Sequence, residues 1–139
     1  MQNESATIKY ANHPLFSRCI GCNVPGGWTK LIDELVVWID QFNIDNKTFI
    51  GFTQIKIKFD MLTVYIEHYT DADYMEHDSR LINKARKKVN DICSKANLIC
   101  KICAKEKTEL VVNSIIKNVC LEHMHSEPGW WKIRAKKHE

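Results

Sequence analysis

Residues 100–123 read CKICAKEKTELVVNSIIKNVCLEH, and this stretch contains the most specific pattern of the sequence. It contains two ligand pairs, Cys100 with Cys103 and Cys120 with His123, and sixteen residues separate the pairs. The two residues inside each pair allow a tight turn to direct both side chains at one ion. Three thiolates and one imidazole complete a closed tetrahedral set, which is typical of structural zinc. The spacing therefore predicts that these four residues bind one Zn²⁺ ion.

The segment between the ligand pairs, TELVVNSIIKNVC at 108–120, has alternating apolar residues. Alternation of this kind favours β-strands. It predicts a β-hairpin that joins the two halves of the site, so that residues 98–123 form a zinc-ribbon-like unit. Because such a site does not exist in the unfolded chain, the binding energy of the metal becomes folding energy.

Cys19 and Cys22 form a third pair with two intervening residues, and no further ligand pair has a matching spacing. Three interpretations stay open for this pair. It holds a second metal ion, it replaces Cys120 and His123 as the partner of the first pair, or it binds no metal.

Two other residues bear on the choice of ligands. His125 lies two residues after His123 and is an alternative fourth ligand. Cys93 follows Ile92 within an apolar helical pattern and is predicted to be a buried thiol, since unmetallated cysteines behave as small hydrophobic residues.

Length and composition predict one small globular domain that spans residues 1–139. Single domains commonly have about 100–150 residues, and 45% hydrophobic residues suffice for a core. The N-terminus lacks the basic-then-apolar pattern of a signal peptide, and no apolar run approaches the roughly 20 residues that span a bilayer. We therefore expect a cytoplasmic protein, in which the six cysteines stay reduced.

The first half of the chain predicts a helix followed by a β-hairpin. Residues 1–25 are expected to be irregular. From Trp28 to Phe42 the apolar residues recur at helical spacing. Residues 54–59, QIKIKF, and the next strand at 62–67 alternate apolar and polar side chains, and a turn at residues 60–61 joins them.

The second half predicts a basic helix from Arg80 to Ala96, then the zinc unit, then a basic tail with two tryptophans at 124–139. Helix, hairpin, basic helix and zinc hairpin together indicate an α+β fold, with the helices packed on one face of a small antiparallel sheet.

Positive charge is concentrated in the second half. Residues 1–79 hold 6 Lys/Arg against 11 Asp/Glu, a net −5, whereas residues 80–139 hold 14 against 6, a net +8. A basic surface attracts polyanions or acidic proteins, and tryptophans anchor interfaces, stack on bases or fill cores. The predicted partner-binding residues are Lys84, Lys87, Lys88, Lys95, Trp130, Trp131, Lys132, Arg134, Lys136 and Lys137.

The order of the motifs resembles that of a family of small phage and prophage proteins. The shared pattern is Gly27-Trp28 at a helix start, QIKIKF at 54–59, then Cys-x2-Cys and Cys-x2-His, over residues 22–123. The chain differs from the family at Asp60 and Thr63, where Gly and Arg are usual. The resemblance implies a phage or mobile-element origin, and small phage proteins of this kind often act by binding a host protein.

No catalytic signature accompanies these motifs: the chain has no phosphate-binding loop, no dinucleotide-binding motif and no zinc-deaminase motif. We therefore expect a non-enzymatic protein that inhibits a host protein or ribonucleoprotein complex, for example a CRISPR effector, in the host cytoplasm. A nucleic-acid-binding regulator that uses the basic helix and tail is the alternative, and a metal-dependent nuclease is the lesser one. No membrane or small-molecule partner is expected.

Overall fold

The computed structural model describes residues 10, 12–69, 79–106, 109–112, 115–120, 122–123 and 134–136, the short stretches 109–112, 115–117 and 134–136 by their backbone alone. Within this part of the chain, two α-helices and two small antiparallel sheets form an α+β fold. The predicted fold class is confirmed.

Helix α1 (Thr29–Asn46) packs one apolar face into the core. Ile32, Leu35 and Ile39 are fully buried, at the spacing of one helical face. The helix ends one turn later than the apolar pattern predicts, at Lys47, which takes a left-handed conformation with φ 53°.

Strands β1 (Ile50–Lys58) and β2 (Met61–His68) pair as an antiparallel hairpin. Its two turn residues, Phe59 and Asp60, have φ values of 52° and 61°. Positive φ at both central residues is typical of the type I′ turns that match the twist of a hairpin. The predicted turn at residues 60–61 is one residue too late, because alternation alone does not specify which residues leave the strand.

The N-terminal segment is more ordered than the expected irregular stretch. Pro14–Phe16 and Gly26–Trp28 form single 3₁₀ turns. Between them, the Ile20 N–H donates to Thr53 O at 2.9 Å, and the Ile55 N–H donates to Gly21 O at 2.8 Å. The segment thus lies parallel to β1 along its free edge.

Helix α2 (Ser79–Ala96) packs against α1 and β2, and its residues Ile82, Val89 and Ile92 are buried. At its C-terminal end, the indole Nε1 of fully buried Trp28 donates to Ala96 O at 3.1 Å. This bond satisfies a terminal carbonyl that the helix itself leaves unpaired. It also places the start of α1 against the chain that enters the ligand region.

The second sheet contains β3 (Glu109–Val112), β4 (Ile115–Lys117) and β5 (Arg134–Lys136) in the order β4-β3-β5. The β3–β4 hairpin lies between the two ligand pairs, as the sequence predicts. Strand β5 is an addition, since the basic tail carried no predicted strand. Neither helix in the described part of the chain has the length and hydropathy that crossing a membrane requires.

Candidate metal centre

The fold brings Cys100, Cys103, Cys120 and His123 together. One donor atom from each residue lies within 4.8 Å of the other three. Across the described residues, this is the one group of three or more donors close enough to hold a metal ion. The four predicted ligands therefore form a candidate metal centre.

The separations of the donor atoms fit a tetrahedral ion. Cys103 Sγ and Cys120 Sγ are 3.6 Å apart, and His123 Nδ1 lies 3.6 Å from Cys100 Sγ and 3.2 Å from Cys120 Sγ. Bonds of about 2.3 Å to sulfur and about 2.0 Å to nitrogen give tetrahedral edges of about 3.8 Å between sulfurs and about 3.5 Å between sulfur and nitrogen. The observed edges are close to these values, so one ion can reach all four donors.

The first ligand pair lies in a tight loop that begins and ends at the bridge between Ile99 and Glu106. The Cys100 N–H donates to Lys105 O at 2.7 Å, and the Ala104 N–H donates to Cys100 O at 2.9 Å. Ala104 turns the chain with φ 68°, in the left-handed region. These bonds close the loop that carries the first ligand pair.

The second ligand pair lies in one short turn, in which the His123 N–H donates to Cys120 O at 3.1 Å. Val119, which is fully buried, anchors the strand that enters this turn. Together with Cys100 and Cys120, it forms a small apolar cluster separate from the main core. The ligands are thus partly shielded from water.

The surroundings of Cys100 favour its thiolate. Burial raises the pKa of this thiol, but backbone N–H groups of Cys120, Cys103 and Ile102 lower it by more, to about 7. The Ile102 N–H is 3.4 Å from the sulfur. At Cys103 the balance is opposite, because burial and the neighbouring thiols of Cys120 and Cys100 raise its pKa. A bound dication would favour the thiolate at every one of these cysteines.

Asp60 joins the candidate metal centre to the β1–β2 hairpin. Lys101 Nζ donates to Asp60 Oδ1, and the Asn118 N–H donates to Asp60 Oδ2 at 2.6 Å. The Asn118 side-chain amide also donates to the Asp60 carbonyl. The side chains of Lys101 and Asp60 are 13% and 4% exposed, so this ion pair is buried. The Asp60 carboxylate therefore binds Lys101, which lies in the first ligand pair's loop, and Asn118, which lies just before the second ligand pair.

Gly27 allows the first ligand pair to approach α1 closely. Its N–H donates to Lys101 O at 2.7 Å. A Cβ at this position would lie 2.4 Å from Cys100 O and 2.6 Å from the Lys101 carbonyl carbon, closer than real contacts allow. Sequence reasoning assigned Gly27-Trp28 only to a helix start. It missed the contact with the ligand loop, and no local pattern indicates it.

The remaining cysteines lie away from the centre. Cys22 is buried, and burial together with the charge of Cys19 raises its pKa to about 12. The Cys19 thiol donates to Gly21 O at 3.3 Å. Neither belongs to a group of three donors among the described residues, and the three interpretations of this pair stay predictions. Cys93 is half-buried against the core, and burial raises its pKa to about 11.

Two of the predicted partner-binding lysines have intramolecular partners. Lys95 Nζ lies 3.4 Å from Glu34 Oε2, and Lys88 Nζ lies 3.7 Å from the same oxygen. Asp91 completes the network, at 3.9 Å from Lys88 and 3.7 Å from Lys95. These charges join α1 to α2, and the role of the two lysines in partner binding stays a prediction.

Lys84 and Lys87 are exposed on α2 and have no ion pair within the part of the chain that the structure describes. The backbone places Arg134 and Lys136 in β5. The predicted sites at His125, Trp130, Trp131, Lys132 and Lys137 lie outside the described residues.

No model of a known protein family matches this chain, and neither a curated protein nor a solved structure is significantly similar to it. The resemblance to phage and prophage proteins therefore stays a prediction from the order of the motifs. What the chain can do has to be argued from its own geometry.

Proposed function

We propose that this chain is a zinc-stabilised, non-enzymatic binding protein of phage or mobile-element origin that inhibits a macromolecular complex in the host cytoplasm. The observation that carries the proposal is the closed group of Cys100, Cys103, Cys120 and His123. Four protein donors in tetrahedral geometry leave no position for water or substrate, which is the arrangement of structural zinc sites.

The donor chemistry favours zinc over other common ions. Three soft thiolates and one imidazole suit Zn²⁺, whereas Mg²⁺ and Ca²⁺ prefer carboxylate, carbonyl and water oxygens. Donor separations of 3.2–3.6 Å support a tetrahedral ion. The expected content is one zinc per chain, because the described residues contain no second group of three donors.

The contacts around the site support a structural role for the ion. Lys101 and Asn118, one beside each ligand pair, both bind Asp60 in the hairpin turn. Gly27 contacts the backbone of the first ligand loop. An ion that joins the two ligand pairs therefore also holds the C-terminal part of the chain against the hairpin and α1.

The expected partner is a host protein or ribonucleoprotein, and a CRISPR effector is one class that fits. Support for this comes from the motif order and from the net charge of +8 on residues 80–139, which suits acidic or nucleic-acid-containing surfaces. The protein would act by occupying a surface of its target.

The first test is metal analysis of the purified protein followed by capture of its partner. We expect one zinc per chain by elemental mass spectrometry. We also expect a defined host complex on the tagged protein after nuclease treatment, whose activity the pure protein inhibits in proportion to its concentration. A Cys103→Ser variant should lose both zinc and inhibition, while Cys93→Ser should keep both. Stoichiometric inhibition by metal-free, folded protein would contradict the role of zinc, and failure to inhibit any captured complex would contradict the function.

A second candidate function is that of a nucleic-acid-binding regulator that uses the basic helix and the tail. It is favoured by Lys84 and Lys87, which are exposed on α2 without an ion pair among the described residues. This function predicts an affinity for nucleic acid that falls steeply with salt. Changing both lysines to Gln should weaken that affinity, and unchanged binding and salt dependence would contradict a role for α2.

A further inference from the structure

We infer that the outer face of the β1–β2 hairpin binds single-stranded nucleic acid, with bases stacked on Phe59 and Tyr65 and phosphates held by Lys56 and Lys58. This surface lies outside α2 and the tail. The inference does not depend on the proposed inhibition of a host complex.

The two faces of the hairpin differ sharply. Leu62, Val64 and Ile66 point into the core and are buried. The alternate residues of the same strands point outward, as the pleat requires. Paired positions on this outer face join Lys58 to Met61, Lys56 to Thr63 and Gln54 to Tyr65. The outer face therefore carries two lysines on β1 and the Tyr65 ring on β2, and Phe59 lies at the turn between the strands.

Large apolar groups remain in contact with water on this face. Phe59 is 64% exposed, Met61 45% and Tyr65 41%. Lys58 Nζ lies 5.9 Å from the centre of the Phe59 ring, and Lys56 Nζ lies 5.6 Å from the centre of the Tyr65 ring. Each exposed ring thus has an ammonium group over one of its faces, which places a phosphate-binding charge next to a ring whose other face can stack on a base.

The conformation of Phe59 also indicates a role for its ring. Its φ of 52° is left-handed, where a bulky side chain is disfavoured and Gly or Asn is preferred. Next to it, the side chain of Asp60 accepts hydrogen bonds from Lys101 and Asn118, and these bonds hold the turn in place. Disfavoured backbone conformations that the surrounding structure enforces are common at binding sites. The ring is presented to solvent by a rigid turn that would fold more easily without it.

The two lysines on this face favour a ligand with several negative charges. The hairpin itself has two acidic residues in the part of the chain that the structure describes: Glu67 pairs with Arg86 at 3.6 Å, and Asp60 is buried with Lys101. Lys56 and Lys58 are therefore not neutralised by these carboxylates. A ligand that offers both flat apolar groups and regularly spaced negative charge is a polynucleotide.

Stacking on the Phe59 and Tyr65 rings requires unpaired bases. In a duplex the faces of the bases are covered by their neighbours, whereas a single strand offers them to aromatic side chains. From Met61 to Tyr65, four residues along an extended strand, the face extends over about 13 Å, which suits several nucleotides of a single strand.

The test is fluorescence anisotropy with the purified, zinc-loaded full chain and labelled oligothymidylate, oligouridylate and a duplex of equal length, about 12 nucleotides. We expect both single strands to bind more tightly than the duplex, with affinity that falls steeply as salt rises. The two single-stranded arms separate DNA from RNA as the preferred source. Absence of binding to both single strands, or equal binding to the duplex, would overturn the inference.

Phe59→Asn separates binding from folding, because Asn removes the ring but suits the left-handed turn. We expect roughly tenfold weaker binding of the single strands, while the thermal midpoint stays the same or rises. A variant of equal stability that binds as tightly as the parent would contradict a stacking role. At the second ring, Tyr65→Thr should weaken binding, whereas Tyr65→Phe, which keeps the ring, should not.

The lysines are tested against a matched pair on the basic helix. Lys56→Gln with Lys58→Gln should lower the slope of log affinity against log salt by about 0.7 for each phosphate that is no longer neutralised. Lys84→Gln with Lys87→Gln removes the same charge from α2, the site of the second candidate function, and should lower this slope by less than the hairpin pair does. The reverse result would move the nucleic-acid site to α2. Binding of polyglutamate, with no oligonucleotide binding, would assign the face to an acidic protein and overturn the inference.

Discussion

Two regions of this protein differ in how much apolar surface they bury: the apolar body at residues 12–69 and 79–96, and the metal unit at residues 100–106, 118–120 and 122–123. In the body, Trp28, Phe52 and many aliphatic side chains are fully buried in one continuous core. In the metal unit, apolar burial is confined to a small cluster around Val119 and the ligand thiols.

The comparison shows how a short segment without its own core becomes part of a folded protein. A cluster as small as that of the metal unit cannot offset the entropy of ordering its chain, and the proposed metal–ligand bonds would supply the difference. The body has a core of its own, so we expect it to fold without an ion. The body contacts the metal unit through hydrogen bonds at Gly27 and Asp60.

The largest expected effect comes from removing a ligand. Cys103→Ala should abolish metal binding and unfold the metal unit, because structural zinc supplies about 10–16 kcal/mol in comparable small sites. Elemental analysis should fall from one ion per chain to none. Hydrogen exchange should become fast at residues 100–106 and stay slow in α1.

The matched variant is Cys93→Ala, which removes a thiol from the body and should keep the ion. Slow exchange that persists in the metal unit of Cys103→Ala would show that the unit folds without metal. Equal loss of protection in α1 would show that the two regions form a single folding unit.

Breaking the contact at Asp60 should have the next largest effect. Asp60→Asn keeps the shape but leaves the ammonium of Lys101 buried beside a neutral amide, at a cost of about 3–5 kcal/mol. Chemical denaturation measures this loss. Asp45→Asn, an exposed change on α1, should cost less than about 0.5 kcal/mol.

A double variant provides the internal check on this ion pair. Adding Lys101→Met to Asp60→Asn removes the unpaired charge, so the combined cost should be smaller than the sum of the single costs. Additive costs would mean that the two side chains contribute independently.

Gly27→Ala should weaken the contact between the body and the metal unit without changing a ligand side chain. The added methyl would overlap the backbone of the first ligand loop, 2.4 Å from Cys100 O, and such overpacking typically costs about 1–3 kcal/mol. Competition with a chromophoric chelator should show weaker metal binding. Gly21→Ala is the control, since a methyl there meets nothing within 4 Å. Similar losses in both variants would indicate a general effect of replacing glycine.

Ala104→Gly should strengthen the metal unit. Ala104 has a φ of 68°, a conformation that costs a residue with a Cβ roughly 1 kcal/mol and glycine almost nothing. We expect tighter metal binding and up to about 1 kcal/mol of added stability. The same substitution at buried Ala85 in α2 should destabilise by about 1 kcal/mol or more. A loss of metal affinity in Ala104→Gly would contradict the expected relief of strain.

The smallest effect concerns the response of the thiols to pH. Burial raises the pKa of Cys22 to about 12, whereas the pKa of Cys100 is lowered to about 7. A raised thiol pKa favours the folded state below the ordinary value near 9, and this stability is lost as pH rises from there towards 12. Cys22→Ala should therefore flatten the fall in stability between pH 9 and about 11, as measured by denaturation.

Alkylation gives a second readout of the same contrast. In chelator-treated protein at about pH 8, Cys100 should react quickly, because its metal unit unfolds without the ion, and Cys22 should react slowly, because its burial in the body disfavours the reactive thiolate, as judged by peptide mass spectrometry. Equal rates at the two residues would contradict the difference in their surroundings.

Local pattern was sufficient for the two helices, the β1–β2 hairpin and the four donors of the candidate metal centre, but not for β5. Helical spacing from Trp28 and from Arg80 predicted α1 and α2, and alternation at 54–59 predicted β1. The two ligand pairs were recognisable because each lies within four residues of chain. Such signals depend on neighbours along the sequence, where geometry is nearly independent of the rest of the fold.

The contacts between elements, and the exposure of single side chains, were determined only by the tertiary structure. It buried the charge of Asp60 beside Lys101, forty-one positions along the chain, and made Gly27 a contact for the ligand loop. It also engaged Lys88 in ion pairs and left Phe59 exposed. No residue type or spacing encodes these outcomes, because they depend on which surfaces the packed helices, hairpin and metal unit cover.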